Sequence, residues 1–96
     1  MHVVVNHLRL REPVSDATVE ALRQGVLLAV AKGALGARVA KVDETHLILI
    51  LDFPTAEDAD RMAHEAGGAW MREHIRPLLA GDTDRSVGEV IASARP

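Results

Sequence analysis

The six residues His46–Leu51 contain five consecutive apolar side chains and show no alternation with polar residues. Such a run is typical of a strand that is covered on both faces. Val3, Val4 and Val5 give an earlier segment the same character. Leaving five or six such side chains in water would forgo about 1.5–3 kcal/mol each. In a chain of 96 residues the helices can cover one face, so we expect a second copy of the chain to cover the other.

The periodicity of apolar residues predicts a β-α-β-β-α-β order. The predicted elements are a strand over 2–11, a helix from Ser15 or Asp16 to Lys32, strands over 36–42 and 46–51, a helix that follows Thr55 and breaks at Gly67 and Gly68, a helical piece over 69–80, and a strand over 86–93. This order is the ferredoxin-like α+β motif with an antiparallel sheet. With no linker or repeat, the whole of 1–96 is expected to form a single domain.

The composition excludes several classes of protein. The sequence has no cysteine, which rules out disulfides and thiolate metal sites, and no metal site is expected. Its net charge of −3 and its two aromatic residues do not suit nucleic-acid binding. No apolar run approaches the ~18 residues of a membrane span and no signal-peptide segment is recognised, so we expect a cytoplasmic protein without membrane contact.

Asn6 is the first candidate for a binding residue. It shares one face of the predicted first strand with Val4, Leu8 and Leu10. A buried amide without partners costs on the order of 1–3 kcal/mol. Asn6 is therefore expected either to bond to backbone groups in the core or to donate to a ligand oxygen in a cavity. In the second case Leu8, on the same face, is expected to contact that ligand.

Several segments carry a resemblance to a known family. They are VVVNHLRL, GALGARVAKV, HLILILDFPTAEDADRMA, PLLAG and GEVIAS, in that order along the chain. Together they resemble the dimeric α/β-barrel proteins, and among them the antibiotic biosynthesis monooxygenase group. The resemblance implies a homodimer whose two sheets close into a barrel, with a small-molecule cavity between the sheet and the helices of each subunit. Members include oxygenases that use no metal or flavin, haem-degrading oxygenases, small-molecule isomerases and cyclases, and many proteins without known activity.

The resemblance also implies roles for individual residues. Asn6 matches the first-strand asparagine of the oxygenases, which implies a donor to an oxyanion or peroxide. Trp70 and His74 lie four residues apart, on one helix face. Trp70 is then a cavity wall or a packing residue, and His74 a candidate base or an exposed histidine. Met62 is expected to contact the ligand.

Haem degradation is disfavoured by one departure from the family pattern. His74 falls where the haem-degrading relatives carry their axial ligand, and Arg72 and Arg76 would then receive the propionates. These relatives also have a tryptophan in the preceding helix, where this chain has Met62. No cofactor is therefore expected.

Two functions follow from the sequence. One is a cofactor-independent monooxygenase that binds an electron-rich phenolic or polyketide-like substrate. The alternative is a non-catalytic domain that dimerises or binds a metabolite. The size of the cavity and the convergence of Asn6, Trp70 and His74 on it are expected to discriminate between them.

Overall fold

The predicted order of elements is confirmed by a computed structural model, which describes residues 1–95. The elements are β1 (His2–Arg9), α1 (Asp16–Ala31), β2 (Gly36–Asp43), β3 (His46–Phe53), α2 (Ala56–His64), α3 (Ala66–His74), a short 3-10 turn (Arg76–Leu78) and β4 (Asp84–Glu89). The four strands form one antiparallel sheet in the order β2-β3-β1-β4. Within residues 1–95, no helix has the length and apolar character needed to cross a membrane.

Side-chain caps determine where the first two helices begin. The hydroxyl of Ser15 accepts a hydrogen bond from the backbone N–H of Thr18 at 3.2 Å, which makes Ser15, and not Asp16, the cap of α1. Thr55 caps α2 in the same way, by accepting from the N–H of Asp58 at 3.1 Å. After α1, Gly33 has a φ of +114°, a conformation that favours glycine and ends the helix.

The two faces of the sheet differ in how they are covered. On one, here called the helix face, Asn6 of β1 pairs with Leu49 of β3, and both are buried beneath the helices. The other, here called the open face, carries four partly buried apolar side chains from β1 and β3: Val3, Val5, Ile48 and Ile50. This arrangement follows from strand geometry, because successive side chains point to opposite faces.

The turn between β2 and β3 is held by Asp43. Its carboxylate accepts hydrogen bonds from the backbone N–H and the hydroxyl of Thr45, at 2.9 and 3.3 Å. The backbone hydrogen bond is the main reason that the pKa of Asp43 lies below its ordinary value. The turn starts β3 at His46, where the sequence predicts it.

Two predicted boundaries in the second half of the chain are wrong. The helix breaks at Glu65, and Gly67 and Gly68 lie inside α3. They stand there because the helices approach closely: a Cβ built on Gly68 would overlap the carbonyl oxygen of Ala63. The second helical piece ends at His74 instead of continuing to residue 80, because the Pro-containing 3-10 turn replaces its last turn.

The last strand is also displaced from its predicted position. It spans Asp84–Glu89 instead of 86–93. Its partner β1 ends at His2, which pairs with Glu89, and only the bond from the N–H of Val90 to the carbonyl of Met1 extends the ladder.

Candidate functional site: a cavity beneath the helices

A cavity of about 210 Å³ lies between the helix face of the sheet and the pair of helices α2 and α3. Because Asn6 is its buried polar residue, it is here called the Asn6 cavity. Its apolar wall comes from β1, β3, α2 and α3 and includes Val4, Leu51, Phe53, Met62 and Met71. The site is therefore a largely apolar chamber with one amide in its wall, an arrangement typical of small-molecule sites.

The amide of Asn6 has no protein partner. The residue is 7% exposed, and its side chain makes no hydrogen bond with any residue that the structure describes. The amide atoms are not fully enclosed and are reached from the open side of the cavity. The interpretation of Asn6 as a core residue bonded to backbone thus does not match the structure, and its amide is available to a bound molecule.

Three arginines stand at the mouth of the Asn6 cavity. Arg72 and Arg76 reach it from the helical side, and Arg85 reaches it from β4. Arg85 is directly opposite Asn6 in the β1–β4 register, so the two side chains are neighbours on the helix face. All three arginines are exposed. No aspartate or glutamate is among the described residues that line this cavity.

Trp70 and His74 do not converge with Asn6. The indole of Trp70 packs on α1, where a Cβ added to Gly25 would lie 2.5 Å from the indole carbons. The ring of His74 lies against the indole, with 5.4 Å between centroids, and its side chain is 45% exposed. Its Nε2 is 3.8 Å from the Glu73 carboxylate. The expected three-residue site is therefore not formed, because this face of α3 packs against α1 and not over the cavity.

Of the two other residues that were predicted to contact the ligand, one lines the cavity and one does not. Met62 lies in the wall of the Asn6 cavity. Leu8 lies in the hydrophobic core with Leu10, Leu22 and Ile75, at 0% exposure, and does not line the cavity. Leu8 follows Asn6 by two residues in β1 and lies on the same face, but at this position the strand is covered by α1. The expectation that Leu8 contacts the ligand thus has no support in the geometry.

A second, smaller cavity of about 50 Å³ adjoins the first. Gly25 and Trp70 contribute to its wall, and Met62 and Met71 line both cavities. Methionine side chains are flexible and adapt readily to a new neighbour. Met62 and Met71 are thus part of the partition between the two cavities.

A third depression, of about 580 Å³, is an open groove between α1 and β2. Two of its cations already have carboxylate partners: Arg23 contacts Glu20 at 3.3 Å, and Lys41 contacts Glu44 at 2.5 Å. The groove contains no buried polar side chain among the residues described. These properties favour the Asn6 cavity as the functional site.

Two features of the structure were not predicted from the sequence. Arg85 was missed because β4 was predicted to start one residue after it. His7 and His46 form a pair on the open face, with the Nδ1 of His7 2.9 Å from the Nε2 of His46. Only the β1–β3 register, which sets His7 beside Ile48, brings these two rings together.

The residues of the Asn6 cavity do not fit haem. A cavity of about 150 Å³ holds one benzene ring, so about 210 Å³ cannot hold a four-ring macrocycle. His74, the expected axial ligand, lies outside the cavity. In the part of the chain that the structure describes, no three His, Asp or Glu side chains are grouped so as to hold a metal ion.

Comparison with solved structures places this fold among known ones. SnoaB, a cofactor-independent oxygenase from Streptomyces nogalater, has a TM-score of 0.78 at 8% identity, over 96% of this chain and 94% of that chain. A protein of unknown function from Nitrosomonas europaea has a TM-score of 0.82 at 15% identity, over 99% and 93%. A structure described as an antibiotic biosynthesis monooxygenase has a TM-score of 0.78 at 16% identity, over 96% and 100%.

No family model matches the sequence, and no curated protein matches it either. The likeness to solved structures therefore establishes the fold: the chain has the ferredoxin-like α+β fold of the antibiotic biosynthesis monooxygenases. The resemblance read from the sequence segments is confirmed at this level.

Proposed function

We propose that this protein binds a small, electron-rich aromatic molecule in the Asn6 cavity and oxygenates it without a metal or flavin. The observation that carries the proposal is the amide of Asn6, which faces a largely apolar cavity, is reached from it, and makes no hydrogen bond with the described residues. A ligand with a phenolic oxygen at that point supplies the missing partner. The fold supports the same chemistry, because one structure that shares it is a cofactor-independent oxygenase.

The size of the cavity selects among the predicted substrates. A chamber of about 210 Å³ exceeds the ~150 Å³ that holds a benzene ring and lies below the ~300 Å³ typical of drug-sized ligands. The proposal therefore favours a phenol with one substituted ring over a polycyclic, polyketide-like molecule.

In this reaction the substrate is its own reductant. A ring CH₂ group, formed when an electron-rich phenol takes up its keto form, is converted to C=O by O₂. Its two hydrogens leave with the second oxygen atom as water. The protein's part is to hold the ring away from water among Met62, Phe53 and Leu51, and to donate a hydrogen bond from Asn6 to the oxygen that becomes negative. Because His74 lies outside the cavity, the proposal gives it no part in proton transfer.

A second candidate function is binding without catalysis. It is favoured by the lining of the Asn6 cavity, whose described residues include arginines but no side chain that accepts a proton near neutral pH. Under this alternative the ligand binds at Asn6 as before, and oxygen is not consumed.

The proposed activity is tested with phloroglucinol, a one-ring phenol with a CH₂-containing keto form. We expect oxygen uptake above a protein-free control. Asn6→Asp and Asn6→Leu should lower the rate about 100-fold, the usual effect of removing one donor to a developing oxyanion. Ser86→Ala, on the open face of the sheet, is the control and should keep the rate of the unmodified protein.

Binding of phloroglucinol is measured alongside by calorimetry, with circular dichroism to verify that each variant folds. Binding without oxygen uptake would support the non-catalytic alternative over the oxygenase. Oxygen uptake that is unchanged in both Asn6 variants would contradict the site itself.

A further inference from the structure

We infer that the ligand of the Asn6 cavity carries a carboxylate, which the guanidinium groups of Arg72, Arg76 and Arg85 receive at the cavity mouth. The inference specifies the substrate class of the proposed function. It rests on the proposed function only for the premise that a ligand occupies this cavity. It does not depend on whether the ligand is oxygenated.

The placement of charge at the mouth is the first argument. The chain has a net charge of −3, yet the charged residues that line this cavity are three arginines and no acid within the described part of the chain. None of the three makes an ion pair with a described carboxylate, whereas Arg23, Lys41 and Arg61 all do. The charge at the cavity mouth is thus opposite in sign to that of the whole chain, and no described carboxylate neutralises it.

The position of Arg85 is the second argument. It is directly opposite Asn6 on the adjacent strand and on the same face. Side chains in such cross-strand pairs are about 5 Å apart at Cβ. One donor amide and one guanidinium therefore stand side by side at the polar end of an otherwise apolar chamber. A ligand whose ring oxygen accepts from Asn6 can therefore place an anionic substituent beside Arg85.

The shape of the site distinguishes a ring carboxylate from a free anion. The inner wall of the cavity is apolar and includes Phe53, Met62 and Leu51, which offer contacts to a ring but none to an inorganic ion. The arginines are exposed, and guanidinium groups pair with a planar carboxylate through two parallel hydrogen bonds. The ligand is thus oriented with its ring inside and its carboxylate at the mouth.

The test compares benzoate with its uncharged isostere benzamide, and both with inorganic phosphate, by calorimetry on the unmodified protein. Benzoate should bind about 10-fold more tightly than benzamide, as expected for one charge-assisted hydrogen-bonded pair. Its affinity should fall as salt is added, because the arginines are exposed. Phosphate, which lacks a ring, should bind at least about 10-fold more weakly than benzoate.

The variant Arg85→Gln separates the anion site from general electrostatics. It should weaken benzoate about 10-fold and leave benzamide within about 2-fold. Arg23→Gln, which removes an exposed arginine on α1 without touching the cavity, is the matched control and should change neither affinity.

The outcomes separate this inference from the proposed function. Equal affinities for benzoate and benzamide, or an equal effect of Arg85→Gln and Arg23→Gln, would overturn the anion site and leave the cavity as the ligand site. Phosphate that binds as tightly as benzoate would reduce the mouth to a general anion patch and also overturn the inference. Failure of benzoate, benzamide and phloroglucinol alike to bind would overturn both proposals.

Discussion

The contact between Gly25 and Trp70 explains a glycine that would otherwise weaken α1. Glycine in a helix interior costs about 1 kcal/mol relative to alanine. Gly25 lies in the middle of α1, and the indole of Trp70 lies so close that an added Cβ would be 2.5 Å from it. The missing side chain therefore allows α3 to pack its tryptophan directly on the backbone of α1.

We expect Gly25→Ala to lower the free energy of unfolding by about 1–3 kcal/mol, because overpacking outweighs the gain in helix propensity. In a Trp70→Ala background the same substitution should raise the free energy of unfolding by about 1 kcal/mol. Urea unfolding followed by circular dichroism measures both changes. Destabilisation of similar size in the two backgrounds would show that the indole is not the cause.

At the scale of single residues, the sequence predicts the face to which a strand side chain points. It predicts less well which neighbour a helix side chain contacts. Alternation in β1 places Asn6 with Val4 and Leu8 on one face, and the structure has them there. Helical spacing places Trp70 and His74 together, and their rings are neighbours, with 35° between their planes. Spacing within one helix carries no information about the partner of that face, which is why the expected convergence on Asn6 was wrong.

At the scale of elements, the junction between α2 and α3 shapes the Asn6 cavity. The chain turns at Glu65 and then packs the first turn of α3 against the last turn of α2. Gly67 and Gly68 line the cavity at this point, and a Cβ on either would meet a carbonyl oxygen of α2. The two glycines are therefore required for the close approach and not for the break.

We expect Gly68→Ala to lower the free energy of unfolding by about 1–3 kcal/mol, because the new methyl group collides with the Ala63 carbonyl. Since Gly68 lines the cavity, the same variant should weaken benzoate binding. The control is Gly81→Ala, where an added Cβ meets nothing within 4 Å, and where a change of less than about 1 kcal/mol is expected. Thermal unfolding compares the two variants, and equal effects would contradict the packing argument.

The boundaries of elements were predictable where a local signal marks them. Ser15 and Thr55 begin helices through their own hydroxyls, so the sequence nearly suffices there. The start of β4 has no such signal, because it depends on the pairing with β1, in which Asp84 is opposite His7. Arg85 was overlooked for this reason, and with it the charge at the cavity mouth.

At the scale of the whole molecule, the open face of the sheet is too apolar to be left in water. Val5 and Ile50 are directly paired across β1 and β3, with Val3 and Ile48 beside them, and no helix within residues 1–95 covers this face. We propose that a second copy of the chain covers it, sheet against sheet, because a self-complementary apolar patch is satisfied by two-fold symmetry. The His7–His46 pair then lies in this interface.

Lysine substitutions at two adjacent positions of β3 test the dimer, because their side chains point to opposite faces. Light scattering at micromolar concentration should give about twice the chain mass of 10.4 kDa for the unmodified protein. Ile50→Lys places a charge on the open face and should give a folded monomer, with the helical circular dichroism retained. Leu49, 7% exposed beneath the helices, lies in the core, so Leu49→Lys should unfold the chain, since a core lysine must be desolvated without a partner. A folded monomer already in the unmodified protein, or a dimer that survives Ile50→Lys unchanged, would show that this face is not where two copies meet.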